Sequence, residues 1–553
     1  MTPSRPSPAR GGRAGVTRAA FTAPEDRRSV LDRAHRGDIV GALGRIPSQE
    51  TGPRRSLRGH AAALLAVLGP GVVVLVADND AGGISTYAQA GQDYGLRFVW
   101  LLLILAGALL VNQEMVGRLG AVTGAGHARL IYERFGRRWG AFALSDLLVV
   151  NFLIIVTEFT GVSFALGYFG VSRYLSVPLA ALALIVLPAG GNFRRWERAV
   201  YVLVAASLAA VPLAVLAHHP GPPPGLPAAR HALPEGTVLI VVALIGTTVA
   251  PWQLFFQQSS VVDKRITARW LGYERADTVI GTLLFAVGAV AVLTACALAF
   301  SATPLHGTFT DAGAVAAGLA RHLGPWAGTL FAVTLLSGSI LGAVAVTLSA
   351  SYAIGDVNGT RHSLHRPWRD ARVFHGSYAA LVALAAAVVL IPGVPLGLVT
   401  TGVQVLAGVL LPGALVFLLL LCNDRAVLGP WVNPRWLNVI ASSVTALFLV
   451  LSALLVTGTL FPHMTISWPM TALPALAAAI LGAVLGARLV PHGPASPPRS
   501  SRAGPPAWTM PPIETLPPPA ASRSRMAGLI ALRAYLLLAA VVVIIKVIEL
   551  IAG

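Results

Sequence analysis

The chain has 553 residues, of which 55% are hydrophobic and 12% are charged, and its mean hydropathy is +0.71. Because soluble domains carry about 25% charged residues, this composition excludes a soluble globular protein and indicates an integral membrane protein. The formal net charge of +18 comes mostly from Arg residues in the first 58 positions and in loops between apolar segments, so it predicts membrane topology rather than nucleic-acid binding.

The chain divides into four regions by composition. Residues 1–58 are rich in Arg, Pro, Gly and Ser and lack apolar periodicity, which predicts a disordered cytoplasmic tail. Residues 59–490 form the predicted transmembrane domain. Residues 491–525 are rich in Pro, Ser and Arg and predict a disordered cytoplasmic linker. The apolar segment 526–553 follows, and its pattern fits either a further span or a helix at the membrane interface.

Twelve apolar segments in the transmembrane domain are long enough to cross about 30 Å of hydrocarbon. They are 60–92, 97–121, 140–169, 174–190, 199–217, 236–262, 274–301, 325–352, 375–392, 395–422, 436–460 and 469–490. Arg and Lys cluster in every second loop, as the positive-inside rule requires of a correct count. This alternation predicts a cytoplasmic N-terminus in a plasma-membrane protein.

The first span is interrupted in its middle by polar residues and glycines. An apolar run ends at Ala77 and is followed by Asp78-Asn79-Asp80-Ala81-Gly82-Gly83. A charged side chain at membrane depth costs about 2.5–3.5 kcal/mol even on insertion scales, so Asp80 is a candidate functional residue. The glycines allow the backbone to leave helical geometry, which frees carbonyl oxygens for a bound ion.

The sixth span carries a similar interruption. It runs from Gly246 to Gln258, and Pro251 removes a backbone donor and forces the helix to kink or unwind. Kinks of this kind also arise from helix packing alone. Two interrupted helices five spans apart, one of them carrying an aspartate, are instead typical of an inverted-repeat transporter with its site near the membrane midplane.

These stretches resemble the NRAMP family of divalent-metal transporters, over about residues 60–420. The residues that carry the resemblance are Gly69-Pro70-Gly71, Asp80-x-Gly82, Ala90-Gly91-x-x-Tyr94-Gly95, Arg118 to Gly124, Glu158-x-x-Gly161 and Ala250-Pro251. The resemblance implies an all-α, LeuT-like fold in which spans 1–5 and 6–10 form inverted repeats and helices 1 and 6 are discontinuous. It also implies that the ion is held by Asp80 and by the carbonyl oxygens of Ala77 and Thr247.

This chain departs from the family pattern at the implied site. The family has proline and asparagine where this sequence has Ala81 and Gly83, and methionine and histidine where it has Ala250 and Trp252. Loss of a soft thioether ligand removes discrimination against hard cations, and fewer protein ligands leave room for water, which suits Mg²⁺. The pattern resembles the NRAMP-related magnesium transporter branch, and we expect Mn²⁺ to be carried as well.

The predicted metal site consists of seven residues: Asp80, Ala77, Thr247, Ala250, Gly83, Gln404 and Asp78. Asp78 has no counterpart in the family motif and either adds a second carboxylate or faces a polar vestibule. Gln404 in the tenth span is either an amide ligand or a packing residue. We expect replacement of Asp80 by alanine to abolish transport, and Ala250→Met with Gly83→Asn to shift preference toward Mn²⁺.

The family's proton-relay positions are also altered. Ile155, Trp252 and Gln257 occupy positions where the family has titratable groups, which predicts transport uncoupled from protons. The membrane potential alone then drives uptake, since two charges moving through 100 mV gain about 4.6 kcal/mol.

Two other transport functions remain as alternatives: a proton-coupled Mn²⁺/Fe²⁺ importer and a LeuT-type symporter for an organic solute. An enzyme is not expected, because the sequence has no phosphate-binding glycine loop, no His-Glu-x-x-His motif and no nucleophile elbow. The expected partners are the transported metal ion and the lipid bilayer, without a resident cofactor or nucleic acid, and the expected state is a monomer.

Overall fold

The computed structural model describes residues 31–50, 56–217, 237–460, 468–489, 508–517, 530, 532–535, 537 and 541. Helices dominate this part of the chain, as predicted. The one sheet within it is a hairpin of two short antiparallel strands, β1 (Ile39–Val40) and β2 (Arg45–Ile46). The predicted C-terminal helix 526–553 lies almost entirely outside the described residues.

Nineteen α-helices lie within the described residues. In chain order they are α1 Leu57–Val67, α2 Pro70–Ala77, α3 Ala81–Tyr94, α4 Val99–Thr123, α5 His127–Phe135, α6 Arg137–Tyr168, α7 Arg173–Ala189, α8 Phe193–Ser207, α9 Ala210–Leu216, α10 Thr237–Thr248, α11 Pro251–Asp263, α12 Leu271–Phe300, α13 Ala312–Leu323, α14 Pro325–Asn358, α15 Arg372–Val389, α16 Leu396–Cys422, α17 Arg425–Leu428, α18 Arg435–Leu460 and α19 Trp468–Arg488.

Nine helical stretches among the described residues are long and apolar enough to cross a membrane, or ten if the bent pair α1 and α2 is one span. The prediction was twelve. The difference lies in the predicted spans 174–190 and 469–490, which coincide with shorter apolar helices, Arg173–Ala189 and Leu473–Arg488.

The broken helices lie at the centre of the bundle. The helices α2 and α3 pack on α12 and α14, and α10 packs on α16 and α3. Most of the apolar surface of α10, α11 and α16 is covered by protein, whereas α4 and α8 leave more of theirs exposed. A helix that is apolar on all sides suits a buried position in a membrane bundle, which explains why the interrupted helices occupy the interior.

The first span is interrupted at two places, of which the sequence predicted only the one at 78–83. The additional interruption lies at Leu68 and Gly69, where α1 and α2 meet at 51°. Gly69 adopts φ +156° and Pro70 begins α2, so neither residue continues α1. Asp277 of α12 caps the new helix end, because its carboxylate accepts three amide hydrogen bonds of 3.0, 2.7 and 3.1 Å from the start of α2.

A buried ion pair supports the same bend. Lys264 Nζ lies 2.6 Å from Glu197 Oε1, and both side chains are almost fully buried. Lys264 also donates to the carbonyl oxygen of Leu68, and Glu197 accepts a hydrogen bond from the amide of Ala42. The pair therefore connects α8, the end of α11, the α1–α2 bend and the segment that precedes α1.

Residues 31–50 are folded, which differs from the disordered tail predicted for 1–58. Ile39 and Ile46 of the hairpin are buried against α1 and the end of α11. Arg265 donates to the carbonyl oxygens of Ala34 and Asp38 at 2.8 and 3.0 Å. Because this segment gains its order from contacts with distant elements, its own polar composition gave no sign of it.

Residues 508–517 are also packed on the transporter, although they lie within the predicted disordered linker. Met510 and Ile513 are buried, and Trp508 lies against Gly429. Arg134 of α5 donates to the carbonyl oxygen of Pro517 at 2.7 Å. Trp508, Met510, Ile513 and Leu516 all pack on the hydrophobic core, so apolar contacts hold this short segment in place.

Acidification is expected to release the N-terminal segment 31–50. Burial lowers the pKa of His35 to about 4, and the nearby carboxylate of Asp263 only partly opposes that shift. A released His35 has a pKa of about 6.5, so above this pH it is neutral in both states. As the pH falls from about 6.5 toward about 4, only the released segment takes up the proton, and docking weakens by about 1–2 kcal/mol at about pH 5.

Hydrogen–deuterium exchange of residues 31–50 at neutral and acidic pH, corrected for the intrinsic exchange rate, measures this effect. The other groups facing His35 are Asp32, Asp356 and His362. Burial lowers the pKa of His362, but the hydrogen bond and negative charge of Asp356, the Thr360 carbonyl and the charge of Asp263 together raise it above its ordinary value, so His362 keeps its proton in this pH window. His35→Gln is the control, since it cannot be protonated; an equal loss of protection in that variant would contradict the explanation.

Candidate functional site

The predicted interruption of the first span is present at Asp78–Asp80. The helix α2 ends at Ala77, and Asp80 is extended with φ −79° and ψ −176°. Its Oδ1 atom accepts a 2.6 Å hydrogen bond from the amide of Gly83 and so caps the start of α3. One carboxylate oxygen is thereby oriented by the backbone at the break.

The predicted interruption of the sixth span is present as well. The helix α10 ends at Thr248, and Ala250 is extended with φ −95° and ψ 146° immediately before Pro251 begins α11. The proline cannot donate to the preceding turn, so the chain leaves helical geometry there. Carbonyl oxygens at the end of α10 consequently lose their partners within the helix.

The two interruptions meet at Gly83. A Cβ atom at this position would lie 2.7 Å from the carbonyl oxygen of Asp78, 3.2 Å from the hydroxyl oxygen of Thr247 and 3.3 Å from Asp80 Oδ1. Oxygen atoms from both broken helices therefore surround one point that lacks a side chain. Asp78, Asp80 and Thr247 are all buried, with 0–5% of their surface exposed along this segment.

Gln404 of α16 lies beside Gly82, the residue before this point, and its role as a ligand stays a prediction. Its amide group contacts α3 so closely that a Cβ atom at Gly82 would overlap it. The Gln404 Nε2 atom is buried without a hydrogen-bond partner among the described residues. Rotation of the amide by 180° exchanges this nitrogen for the oxygen, which is the atom that a cation requires.

Ala77 and Ala250 stay predictions as site residues. Ala77 is the last residue of α2 and Ala250 is the residue before α11, so each lies at an interruption. Both are buried, and neither can provide a sulfur or nitrogen ligand.

Glu158 of α6 is a direct neighbour of the broken segment. Its Oε2 atom accepts a 3.1 Å hydrogen bond from the amide of Ala81. Gly342 of α14 packs against both acids, since a Cβ atom there would lie 2.8 Å from Asp80 Cβ and from Glu158 Oε2. The sequence singled out Glu158 only through its family motif, because nothing local predicts which helix faces Ala81.

Two glutamines extend the site, and neither was among the seven predicted site residues. Gln253 Nε2 donates to Asp78 Oδ1 and, at 3.2 Å, to the carbonyl oxygen of Thr248. Gln113 Nε2 of α4 donates to Gln253 Oε1 at 3.2 Å. The available signal for Gln113 was an amide within an apolar span, since polar groups at membrane depth seek partners in the bundle interior.

Several oxygen atoms of this cluster have no donor. Asp78 Oδ2, Thr247 Oγ1, Thr248 Oγ1 and Glu158 Oε1 are buried without a partner among the described residues. An unsatisfied buried acceptor costs about 1–3 kcal/mol, and a charged one costs more, so such a cluster is stabilised by a cation or by water. Within the described ranges, no group of three or more His, Cys, Asp or Glu side chains is placed to hold a metal. The site therefore offers few carboxylates and many neutral oxygens.

Comparison with known proteins gives a consistent picture. Residues 71–458 match the family model of the natural resistance-associated macrophage protein-like (Nramp) proteins. The chain is 28% identical over 447 residues to the divalent metal cation transporter MntH of Burkholderia ambifaria, covering 77% of this chain and 95% of the relative. It is 30% identical over 398 residues to MntH 1 of Pseudomonas aeruginosa, covering 69% and 88%. Both relatives are named as transporters, in agreement with the prediction that the chain is not an enzyme.

A solved structure shares the fold. The manganese transporter of Eremococcus coleocola, in complex with an aromatic bis-isothiourea compound, aligns with a TM-score of 0.59 and 20% sequence identity. The alignment covers 80% of this chain and 96% of that chain. The LeuT-like fold with discontinuous helices is thus confirmed. Since the family model matches more than half of the chain, the protein belongs to the Nramp family.

Proposed function

We propose that this protein carries divalent metal cations across the membrane, around the site at Asp80, by alternating access. The main support is the convergence of unpaired oxygen atoms from the two broken helices next to the Asp80 carboxylate. A doubly charged cation satisfies these acceptors, whereas an organic solute would also need an apolar pocket and hydrogen-bond donors. The names of the relatives as divalent metal cation transporters support the same substrate class.

Among divalent ions, we propose Mg²⁺ as the main substrate, with Mn²⁺ carried as well. Every candidate ligand is an oxygen atom, and Ala250 stands where the family has its methionine. Hard cations prefer oxygen, and Mg²⁺ keeps several waters while binding one or two carboxylates. Asp80 and Asp78 provide that number of carboxylates, and the buried hydroxyl oxygens of Thr247 and Thr248 are neutral acceptors without a partner among the described residues.

Transport is proposed to be uncoupled from protons and driven by the membrane potential. Trp252 and Gln257 of α11 and Ile155 of α6 are buried and have no titratable group at the positions where the family has one. A relay needs groups that exchange protons near neutral pH. The protein is proposed to act as a monomer in the plasma membrane, with the N-terminus in the cytoplasm, as the Arg-rich loops predict.

Flux measurements on purified protein in liposomes test this proposal. With an inside-negative potential, both Mg²⁺ and Mn²⁺ are expected to enter, external Mg²⁺ at millimolar concentration is expected to compete with Mn²⁺, and a pH dye in the lumen is expected to stay constant. Dissipation of the potential is expected to slow uptake of both ions. Absence of any metal-dependent flux would disprove the transport function itself.

The alternative is a proton-coupled Mn²⁺/Fe²⁺ importer, which the manganese transporter among the structural neighbours favours. Glu158 is a buried carboxyl group in contact with Ala81 at the break, and it is available to hold a proton. Acidification of the lumen during Mn²⁺ entry, together with no competition by Mg²⁺, would establish this alternative.

A further inference from the structure

A second group of polar side chains lies between the Asp80 site and the predicted cytoplasmic face. Gln257 of α11 and Glu274 and Thr278 of α12 are all fully buried. Gln257 lies six residues after Pro251, which places it about 9 Å further along the axis of α11 at 1.5 Å per helical residue. Glu274 lies in the first turn of α12, which begins after the loop that carries Arg265 and Arg269.

These three residues bind one another and leave two oxygens unused. Gln257 Nε2 donates to Glu274 Oε1 at 2.9 Å and to Thr278 Oγ1 at 3.0 Å. Thr278 Oγ1 contacts the same carboxylate oxygen at 3.4 Å. Gln257 Oε1 and Glu274 Oε2 are buried and have no partner among the described residues. One neutral and one acidic acceptor thus remain open in the same small group.

No basic side chain of the described structure neutralises Glu274. Lys264 is committed to Glu197, and Arg275, the residue next in sequence, pairs with Glu114. Asp277 is committed to the amides that begin α2. A buried carboxylate without an opposite charge is unfavourable, so the group is adapted to a cation that is not part of the protein.

The two groups are continuous along one face of α11. Gln253 contacts Asp78 at the Asp80 site. Gln257 lies one turn later on the same face of α11 and contacts Glu274. Beside Gln253, Gln113 Oε1 is also buried without a partner among the described residues. Open acceptors therefore follow the path from the broken helices toward the cytoplasm.

We propose that Glu274 and Gln257 form a second binding station, at which a partly hydrated divalent cation pauses between the Asp80 site and the cytoplasm. The station provides one carboxylate and one amide oxygen, and water completes the coordination shell, as suits Mg²⁺. The proposal rests on the proposed transport of divalent cations. It assigns a transport role to Glu274, which no family motif identified.

Gly117 of α4 packs directly against the carboxylate of Glu274. A Cβ atom at this position would overlap the carboxylate of Glu274. The glycine is therefore what allows α4 to approach α12 with the acid between them. Gly117→Ala provides a second way to disturb the station, because it displaces the carboxylate without changing any charge.

The test uses the full-length protein and compares Glu274→Gln with the wild type. Equilibrium binding of Mn²⁺, followed by the electron paramagnetic resonance signal of the free ion, is expected to show two classes of site in the wild type. Glu274→Gln is expected to lose the weaker class, and Asp80→Ala the tighter one. In Glu274→Gln, the kcat of uptake is expected to fall about tenfold. The KM is expected to change little, because the Asp80 site that first binds the ion is intact.

Glu133→Gln is the matched control, since Glu133 is an exposed acid on α5 and its loss is expected to change neither binding nor flux. Gly117→Ala is expected to reproduce the Glu274→Gln defect. Retention of the tighter class of Mn²⁺ site in both variants separates a role of the carboxylate in ion binding from a general loss of folding. Wild-type stoichiometry and flux in Glu274→Gln would overturn the proposal and identify a carboxyl group that is simply protonated. If Asp80→Ala also bound and transported metal normally, the proposed function itself would fail.

Discussion

Asp80→Ala is expected to abolish uptake of both Mg²⁺ and Mn²⁺, with a loss of about a hundredfold or more. The carboxylate of Asp80 is the charge that lies where the two broken helices meet, with the Thr247 hydroxyl and the Asp78 carbonyl beside it. Removal of that charge leaves neutral oxygens and the separate carboxylate of Asp78, which is bound to Gln253. Radioactive or fluorescent metal flux into liposomes measures the effect.

The alanine variant changes two properties, so a second variant is needed. Asp80 also caps α3 through its hydrogen bond to the Gly83 amide, and loss of such a cap costs about 0.5–2 kcal/mol. Asp80→Asn keeps an acceptor for this bond and removes only the charge. We expect it to be as inactive as the alanine variant while its unfolding temperature stays near that of the wild type.

Asp311 provides a matched comparison. It caps α13 in the same way, with Oδ1 accepting from the amide of Ala314 at 2.8 Å, and the loop before it contacts the far end of α3 at Asp93 rather than the break at 78–83. Asp311→Asn is therefore expected to transport normally. Normal transport by Asp80→Asn would show that the charge is dispensable, and the proposed site would then be wrong.

The interruptions of the first and sixth spans could be predicted because they depend on local chemistry. Gly82 and Gly83 permit the backbone to leave the helix, and Pro251 forces it to do so. A carboxylate in an apolar span indicates a functional residue by itself, since the free-energy cost of placing a charge in the membrane is high. The family motifs then predicted a LeuT-like fold in which both interrupted helices occur, and the structure and the comparisons confirm that fold.

The neighbours of the site could not be predicted, because they depend on how distant helices cross. Nothing near Glu274 or Gln113 in the sequence indicates that these side chains face α11. The folded segment 31–50 was missed for the same reason. Its order comes from the bidentate contact of Asp32 with Arg366 and from burial of two isoleucines against α1 and α11. The contacts with Arg366 and with α11 span more than 200 residues of the chain.

Ala250→Met is expected to shift the preference of the site from Mg²⁺ toward Mn²⁺ by about tenfold or more. A thioether sulfur is a soft ligand that favours transition metals over Mg²⁺ and Ca²⁺. Ala250 has an extended backbone, which methionine adopts without strain, and the long unbranched side chain can turn toward the gap between α10 and α11. Ala250 is buried, so we also expect a stability loss of about 1–3 kcal/mol from the added volume.

The companion change Gly83→Asn is less suitable than the sequence suggested. A Cβ atom at Gly83 would lie 2.7 Å from the carbonyl oxygen of Asp78, so an asparagine there displaces the broken segment before it can bind a metal. The single substitution at Ala250 is the cleaner experiment, and Ala250→Leu is its control, because leucine adds similar volume without sulfur. The ratio of Mn²⁺ to Mg²⁺ uptake, measured in competition, is expected to rise in the methionine variant alone. If the ratio rose equally in the leucine variant, the shift would come from the reduced size of the site. Sulfur coordination would then not be what distinguishes the two ions.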